Sequence, residues 1–190
     1  MRVILVDDTA KDISRLKGVL TAVGCEVVAQ VRAAIELHEL VLKYEPDVII
    51  LDWDYPARDV LKQLCELTRS TPRPIILVTA QRDMQTIKAA IEAGVSAYVV
   101  GEVAAGDVDV VLRVAIARFE AEQALKRQLA QVQARLEERK AVERAKGLLM
   151  KARGIDEAEA YGILRKMAMD RRMRLAEVAQ GVIDAMKRPG

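Results

Sequence analysis

Aromatic side chains are scarce in this chain: one Trp, one Phe and four Tyr make up 3% of its 190 residues. A binder that stacks successive bases on a platform of rings needs more of them, so that class is excluded. Cysteine is equally sparse. Cys25 and Cys65 lie far apart within apolar patterns, which excludes a disulfide framework and a thiolate metal site and predicts buried, reduced thiols. The single histidine, His38, falls on a predicted helix without ligand partners and reads as structural. No apolar run approaches the ~20 residues that cross a bilayer. The chain opens directly on a strand pattern with no signal-peptide core, so a cytoplasmic protein with no membrane partner is expected.

What is present is a well-mixed globular composition, 52% apolar and 31% charged. That length holds one good core and a small second module. A net charge of +2 conceals an asymmetry: residues 125–190 hold 16 Lys and Arg against 9 Asp and Glu, whereas residues 1–124 hold 14 against 19. An acidic front suits a cation or a regulator, and a basic back suits a polyanion.

Hydrophobic periodicity alternates over the first 118 residues. Strands are predicted at 2–6, 26–30, 47–51, 74–78 and 96–100, with helices at 11–23, 33–44, 57–69, 83–93 and 106–118. Gly24 and Gly94 stand where helix ends need a left-handed residue. The fold class is therefore α/β, a doubly wound five-stranded parallel sheet, followed by a long helix and a small three-helix all-α module. Val3–Val6 and Val48–Leu51 are unbroken apolar runs, as befits strands buried on both faces. They end in Asp7-Asp8 and Asp52, and the run Ile75–Val78 ends in Thr79. An Asp after a strand can simply cap the next helix. Three strand ends terminating together in polar side chains point instead to a ligand site beyond the carboxyl edge. Gathered carboxylates repel one another, and a hard divalent cation such as Mg²⁺ neutralises them.

The ordered set Asp7-Asp8, Asp52-Trp53-Asp54-Tyr55-Pro56, Thr79-Ala80 and Tyr98 resembles the receiver domain of two-component response regulators over about residues 1–118. The resemblance implies that Asp52 accepts a phosphoryl group. It implies a Mg²⁺ site from Asp7, Asp8, Asp52 and the backbone carbonyl of Asp54. Thr79 would bond the phosphoryl oxygens, and Tyr98 would be the switch aromatic. Receivers carry a Lys three residues after that aromatic, and here the switch position is Gly101, followed by Glu102. The charge that couples phosphorylation to loop movement is missing.

A connector over 119–138 carries Leu125, Leu129, Val132 and Leu136 at the 4-3-4 spacing of a coiled-coil seam, enough for about two heptads, which suits either a homodimer or a single amphipathic helix packed on its own receiver. A continuous helix from about 106 into the 150s is expected to join the two parts. Residues 139–190 then read as three helices, the first stopped by Gly154, the second capped by Asp156, the third spanning Leu175–Met186. Ala145, Leu148, Leu149, Ile163, Leu164, Met167, Ala168, Val178, Ala179, Val182 and Ile183 recur at helical spacing and form the expected core. Tyr161 could stack on a base, but burial of its ring in that core is the expected role. No nucleophile–base pair is visible, so an enzyme is not expected and no catalytic residue is assigned.

The stretch Arg139–Met150, with Ala160, Leu164, Ala168-Met169-Asp170-Arg171-Arg172 and Val178-Ala179, is similar to the ANTAR domain over about residues 126–187. That resemblance implies RNA binding through Arg139, Lys140, Arg144, Lys146, Gly147, Arg171, Arg172 and Arg174, with leader-transcript stem–loops as partners and antitermination as outcome. By charge alone these side chains could equally form a solvated face. Upstream, a sensor histidine kinase or a ligand-sensing sequestering protein would act on the receiver. A DNA-binding regulator is the alternative, but the 175–186 helix is too acidic and apolar for a recognition helix.

Overall fold

A computed structural model describes residues 1–7, 13–32, 37–53, 58–101 and 103–187. Five strands, β1 (Arg2–Asp7), β2 (Glu26–Val31), β3 (Val48–Asp52), β4 (Ile75–Thr79) and β5 (Ala97–Val100), form one parallel sheet in the order β2-β1-β3-β4-β5. Parallel neighbours require crossovers. Helices α1 (Ile13–Ala22), α2 (Leu37–Tyr44), α3 (Arg58–Ser70) and α4 (Met84–Glu92) provide them.

Strand pleating sends alternate side chains to opposite faces, and both faces are covered. Ile4, Val6, Ile49, Leu51, Ile75 and Leu77 pack with Leu37, Val41, Leu64, Leu67 and Ala90. Val3, Leu5, Val48, Ile50, Ile76 and Val78 pack on the other side with Leu20, Val108, Leu112 and Ala115. Double burial explains why these strands read as continuous apolar runs rather than alternating ones. Cys25 is buried in the second face and Cys65 half-buried beside the first, so the expectation of buried thiols is met fully only at Cys25. Burial is also the main reason the Cys25 thiol ionises above its ordinary range.

The chain leaves β1 for β2 at one edge and returns to β3 on the other side of β1. The order therefore reverses between β1 and β3, where the crossovers diverge and leave a crevice at the carboxyl ends. Gly24 (φ +80°) and Gly94 (φ +96°) hold the left-handed turns expected of them. At Gly94 a Cβ would also meet Thr68 Cγ2 at 2.9 Å. Gly94→Ala is expected to cost about 1–2 kcal/mol, from positive φ and from that clash. A thermal melt unchanged by the substitution would contradict the geometry.

Helix α5 (Val108–Arg153) runs without a break for 46 residues, as the continuous-helix expectation required. Gly154 (φ +66°) ends it. Helix α6 (Glu157–Arg171) starts on a capping box in which Asp156 accepts from the Glu159 N–H and Glu159 accepts from the Asp156 N–H. Helix α7 (Leu175–Lys187) follows. The eleven residues predicted as the core of this module all pack together, joined by Ala160. The chain divides into two compact units, Met1–Gln123 and Ala124–Gly190, and α5 contributes to each.

Candidate functional site

Asp7 and Asp52 are register partners on β1 and β3, the pair of strands flanking the reversal. The strands extend one residue beyond the expected 2–6 and 47–51, because each aspartate takes part in the ladder. Register partners in a parallel sheet lie ~4.8 Å apart and project to the same face. The two carboxylates thus converge, with Asp7 buried at 3% exposure. Unit charges at that separation repel by roughly 3 kcal/mol at an effective dielectric of 20. Two hard oxygen donors held side by side suit Mg²⁺, so the described residues fit the ion. Asp8 and Asp54 lie outside the described residues, as does Glu102.

Thr79 ends β4, buried, on the opposite face of the pleat from the aspartates. Its hydroxyl oxygen accepts from the Gln81 N–H at 3.2 Å, and the Tyr98 hydroxyl donates to the Gln81 carbonyl at 3.1 Å. Tyr98 on β5 is half-buried, its ring turned inward against the β4–α4 loop. Burial is the main cause that raises the Tyr98 pKa above 10.0, opposed by a hydrogen bond with Thr79. The hydroxyl, the loop and the ring are therefore linked, so displacing any one disturbs the others. Gly101 donates its N–H to the Thr79 carbonyl at 2.8 Å with φ +83°. It brings backbone to the site but no charge.

The helical unit holds the second group of candidates. Arg139, Arg144, Arg171 and Arg172 are exposed and carry no ion pair among the described residues. Lys140 pairs with Glu137 at 2.8 Å on the surface. Arg174 reaches Glu138 at 3.7 Å and Glu177 at 3.6 Å. The Arg174–Glu138 contact sets the α6–α7 turn beside the α5 turn that carries Arg139 and Lys140, so two basic segments distant in sequence share one neighbourhood. Exposed pairs of this kind are worth little and yield readily to a phosphate. Gly147 is exposed, and a Cβ there would meet nothing within 4 Å.

Two residues sit differently from their sequence reading. Lys146, grouped above with the RNA-binding cations, is 8% exposed, with its ammonium 2.8 Å from Glu143 and 2.6 Å from Glu157. It fastens α5 to the start of α6 and leaves little of its charge outward. Tyr161, expected inside, is exposed. Ala160, Leu164 and Ala168 occupy the buried line of α6, and a residue one position on points about 100° away from it. Arg165 and Lys166, also exposed on α6, are absent from the sequence-based set. Their four- and five-residue spacing from Tyr161 is the signal that could have drawn attention to them.

The bonds from Glu143 and then Glu157 raise the Lys146 pKa above its ordinary 10.5. A raised pKa on folding stabilises below the unfolded value and ceases to do so as pH climbs through the folded one. The melting temperature of the chain is therefore expected to fall as pH rises past about 10.5, and to fall less steeply in Lys146→Gln. Parallel pH curves for the two proteins would remove Lys146 from the fastening role.

The family description "Response regulator receiver domain" matches residues 3–113, and "ANTAR domain" matches residues 130–183. The transcriptional regulatory protein PdtaR of Mycobacterium tuberculosis is 33% identical over 188 residues, covering 99% of this chain and 92% of that protein. The chain belongs to the receiver–ANTAR response regulators. The nitrate regulatory protein of Klebsiella oxytoca is 46% identical over 61 residues, 32% of this chain and 15% of that protein. Among solved structures, the response regulator domain of Thermotoga maritima CheB superposes with a TM-score of 0.53 at 22% identity, covering 62% of this chain and 96% of that one. The receiver of a modulated diguanylate cyclase from Desulfovibrio desulfuricans G20 gives 0.56 at 22%, over 64% and 97%. These two establish the fold of the first unit. As a receiver–ANTAR protein the chain is a regulator of the two-component type, in a family whose receivers generally hold Mg²⁺ in the acidic pocket. Among the described residues no helix is long and apolar enough to cross a membrane.

Proposed function

We propose that this receiver–ANTAR protein is a transcription antiterminator that binds stem–loops in a leader RNA and is controlled through its receiver. The observation that carries the reading is the meeting of two basic segments around the Arg174–Glu138 contact, with Arg139, Arg144, Arg171 and Arg172 exposed and without ion pairs among the described residues. Arginine forks bond phosphate oxygens, and loop bases that splay from a stem supply sequence readout. A DNA-binding output is less well supported. The exposed side of α7 presents Glu177 and a Gln180–Asp184 bond at 2.9 Å, and carboxylates there repel a duplex backbone.

In the receiver, an Asp52 carboxylate oxygen attacks the phosphorus of a phosphohistidine on the kinase, or of acetyl phosphate, forming the aspartyl phosphate P–O bond as the donor's P–N or P–O bond breaks and the imidazole or acetate leaves. Asp7 and Asp52, with Asp8 and the Asp54 carbonyl, would hold Mg²⁺, which supplies positive charge to the transferring phosphoryl oxygens. Thr79, at the end of the neighbouring strand β4 but on the other face of the pleat, would offer its hydroxyl to the product from the carboxyl edge of the sheet. Because Thr79, Gln81 and Tyr98 are bonded to one another, a new bond at Thr79 changes the β4–α4 loop and the tyrosine together. Upstream control comes from a histidine kinase or from a protein that sequesters the regulator until a small molecule releases it. Leu125, Leu129, Val132 and Leu136 are all exposed along α5 and offer a seam for a homodimer. Two RNA modules in one dimer gain avidity on a single transcript.

The experiment for the reading compares the full chain on a leader stem–loop and on duplex DNA of matching sequence. Preference for the hairpin supports it, and equal affinity for both sinks it. For the metal site, Asp52→Asn is expected to weaken Mg²⁺ binding severalfold by removing one of the paired carboxylates. A calorimetric titration that gives the same affinity for both proteins would dissolve the site.

A further inference from the structure

Tyr161 is the only aromatic residue between 124 and 190, and it stands on the surface at 43% exposure while the core of its module is wholly aliphatic. Residues four apart lie along one line of a helix, so Tyr161, Arg165 and Met169 form a single strip on α6. Met169 is 70% exposed. Arg165 and Lys166 are exposed, and neither has an ion pair among the described residues. The strip runs into the α6–α7 turn, where Arg172 takes a left-handed conformation (φ +52°) and Met173 is again exposed. On α6, Glu159 and Asp170 project roughly 120° or more around the helix from Arg165, and Glu157, one turn before Tyr161 on the same strip, is engaged by the Lys146 ammonium at 2.6 Å.

We infer that this strip of α6 holds an unpaired nucleobase of an RNA loop, with Tyr161 stacked on the base and Arg165 and Lys166 bonding its flanking phosphates. The inference rests on the RNA reading above and adds the loop-reading surface to it. A stacked base needs one exposed ring beside cations, which is what α6 presents, and a single ring reads one base rather than a run of them. Met169 supplies a polarisable apolar surface for the next sugar or base edge. A protein partner would want a continuous apolar face; here ring, cation and thioether alternate. A duplex offers no base face to stack on, which commits the occupant to a loop.

The test uses the full chain and a pool of RNA hairpins with one fixed stem and a randomised loop. The selected hairpin is then remade with 2-aminopurine at each loop position in turn. Tyr161→Leu is expected to weaken binding roughly tenfold or more and to abolish fluorescence quenching at one loop position, whereas Tyr161→Phe keeps both. Arg165→Gln should lower the salt dependence of log affinity by about one phosphate contact. Because the ring is largely outside the core, helicity and melting temperature should match the unaltered chain. If Tyr161→Leu binds as tightly as Tyr161→Phe while Arg144→Ala weakens binding, this inference falls and the RNA reading stands. Failure of the unaltered chain to select any hairpin overturns both. A change of oligomeric state in Tyr161→Leu, with RNA affinity unaltered, makes the strip a protein interface and overturns the inference alone.

Discussion

Incubated with Mg²⁺ and acetyl phosphate, the chain is expected to acquire phosphate at Asp52 slowly and to change little in oligomeric state. The reason is Gly101. A receiver normally places an ammonium at this position against the phosphoryl oxygens, and here the position supplies only a backbone N–H, already bonded to the Thr79 carbonyl at 2.8 Å. Removing one preorganised donor from a site of charge development slows a reaction by roughly 10²–10³-fold. The loss of coupling follows from the same gap, since no side chain ties the end of β5 to the phosphoryl group. Gly101→Lys is the direct repair. Its Cβ would meet nothing within 4 Å, so the obstacle is the backbone at φ +83°. That conformation costs a non-glycine residue about 1 kcal/mol, enough to lower the melting temperature but too little to unfold the domain. The variant is expected to be phosphorylated faster than the unaltered chain, measured as intact mass against time. Rapid, complete phosphorylation of the unaltered chain, coupled to dimerisation, would show that the site recovers its charge from elsewhere. With slow phosphorylation, control by a sequestering partner becomes the main route.

Arg144→Ala and Arg171→Ala are each expected to weaken binding of a leader stem–loop by roughly tenfold, and together by about a hundredfold, as for two independent charge-assisted phosphate contacts. Both guanidinium groups are exposed and free of ion pairs among the described residues, so neither substitution should disturb folding. The slope of log affinity against log salt should fall by about one for each arginine removed, since each phosphate contact releases counterions. Lys146→Ala provides the contrast. Its ammonium is held by Glu143 and Glu157, so its removal should lower the melting temperature and leave the salt slope nearly unchanged. A large change of slope in Lys146→Ala, with none in Arg144→Ala, would reverse the roles assigned to these residues.

Local physics made much of this protein legible in one dimension. Unbroken apolar runs mark strands buried twice over, and the polar residues that end them mark the carboxyl edge of the sheet. Gly24, Gly94 and Gly154 stand where positive φ is needed, and the Asp156–Glu159 capping box starts α6 with bonds spanning three residues. Each of these depends on near neighbours only. Tertiary structure decided the rest. Asp7 meets Asp52 because the strand order reverses between β1 and β3, which periodicity does not specify. The Lys146 charge turns inward because Glu157, on another helix, lies within reach once α5 and α6 pack. Tyr161 faces outward because Ala160 takes the buried line of α6, and neighbours on a helix point about 100° apart. The amino-acid sequence determined which residues form the elements and where the acids and bases lie along them. Which charges are spent on neighbours, and which remain for a ligand, was settled only when helices distant in sequence came into contact.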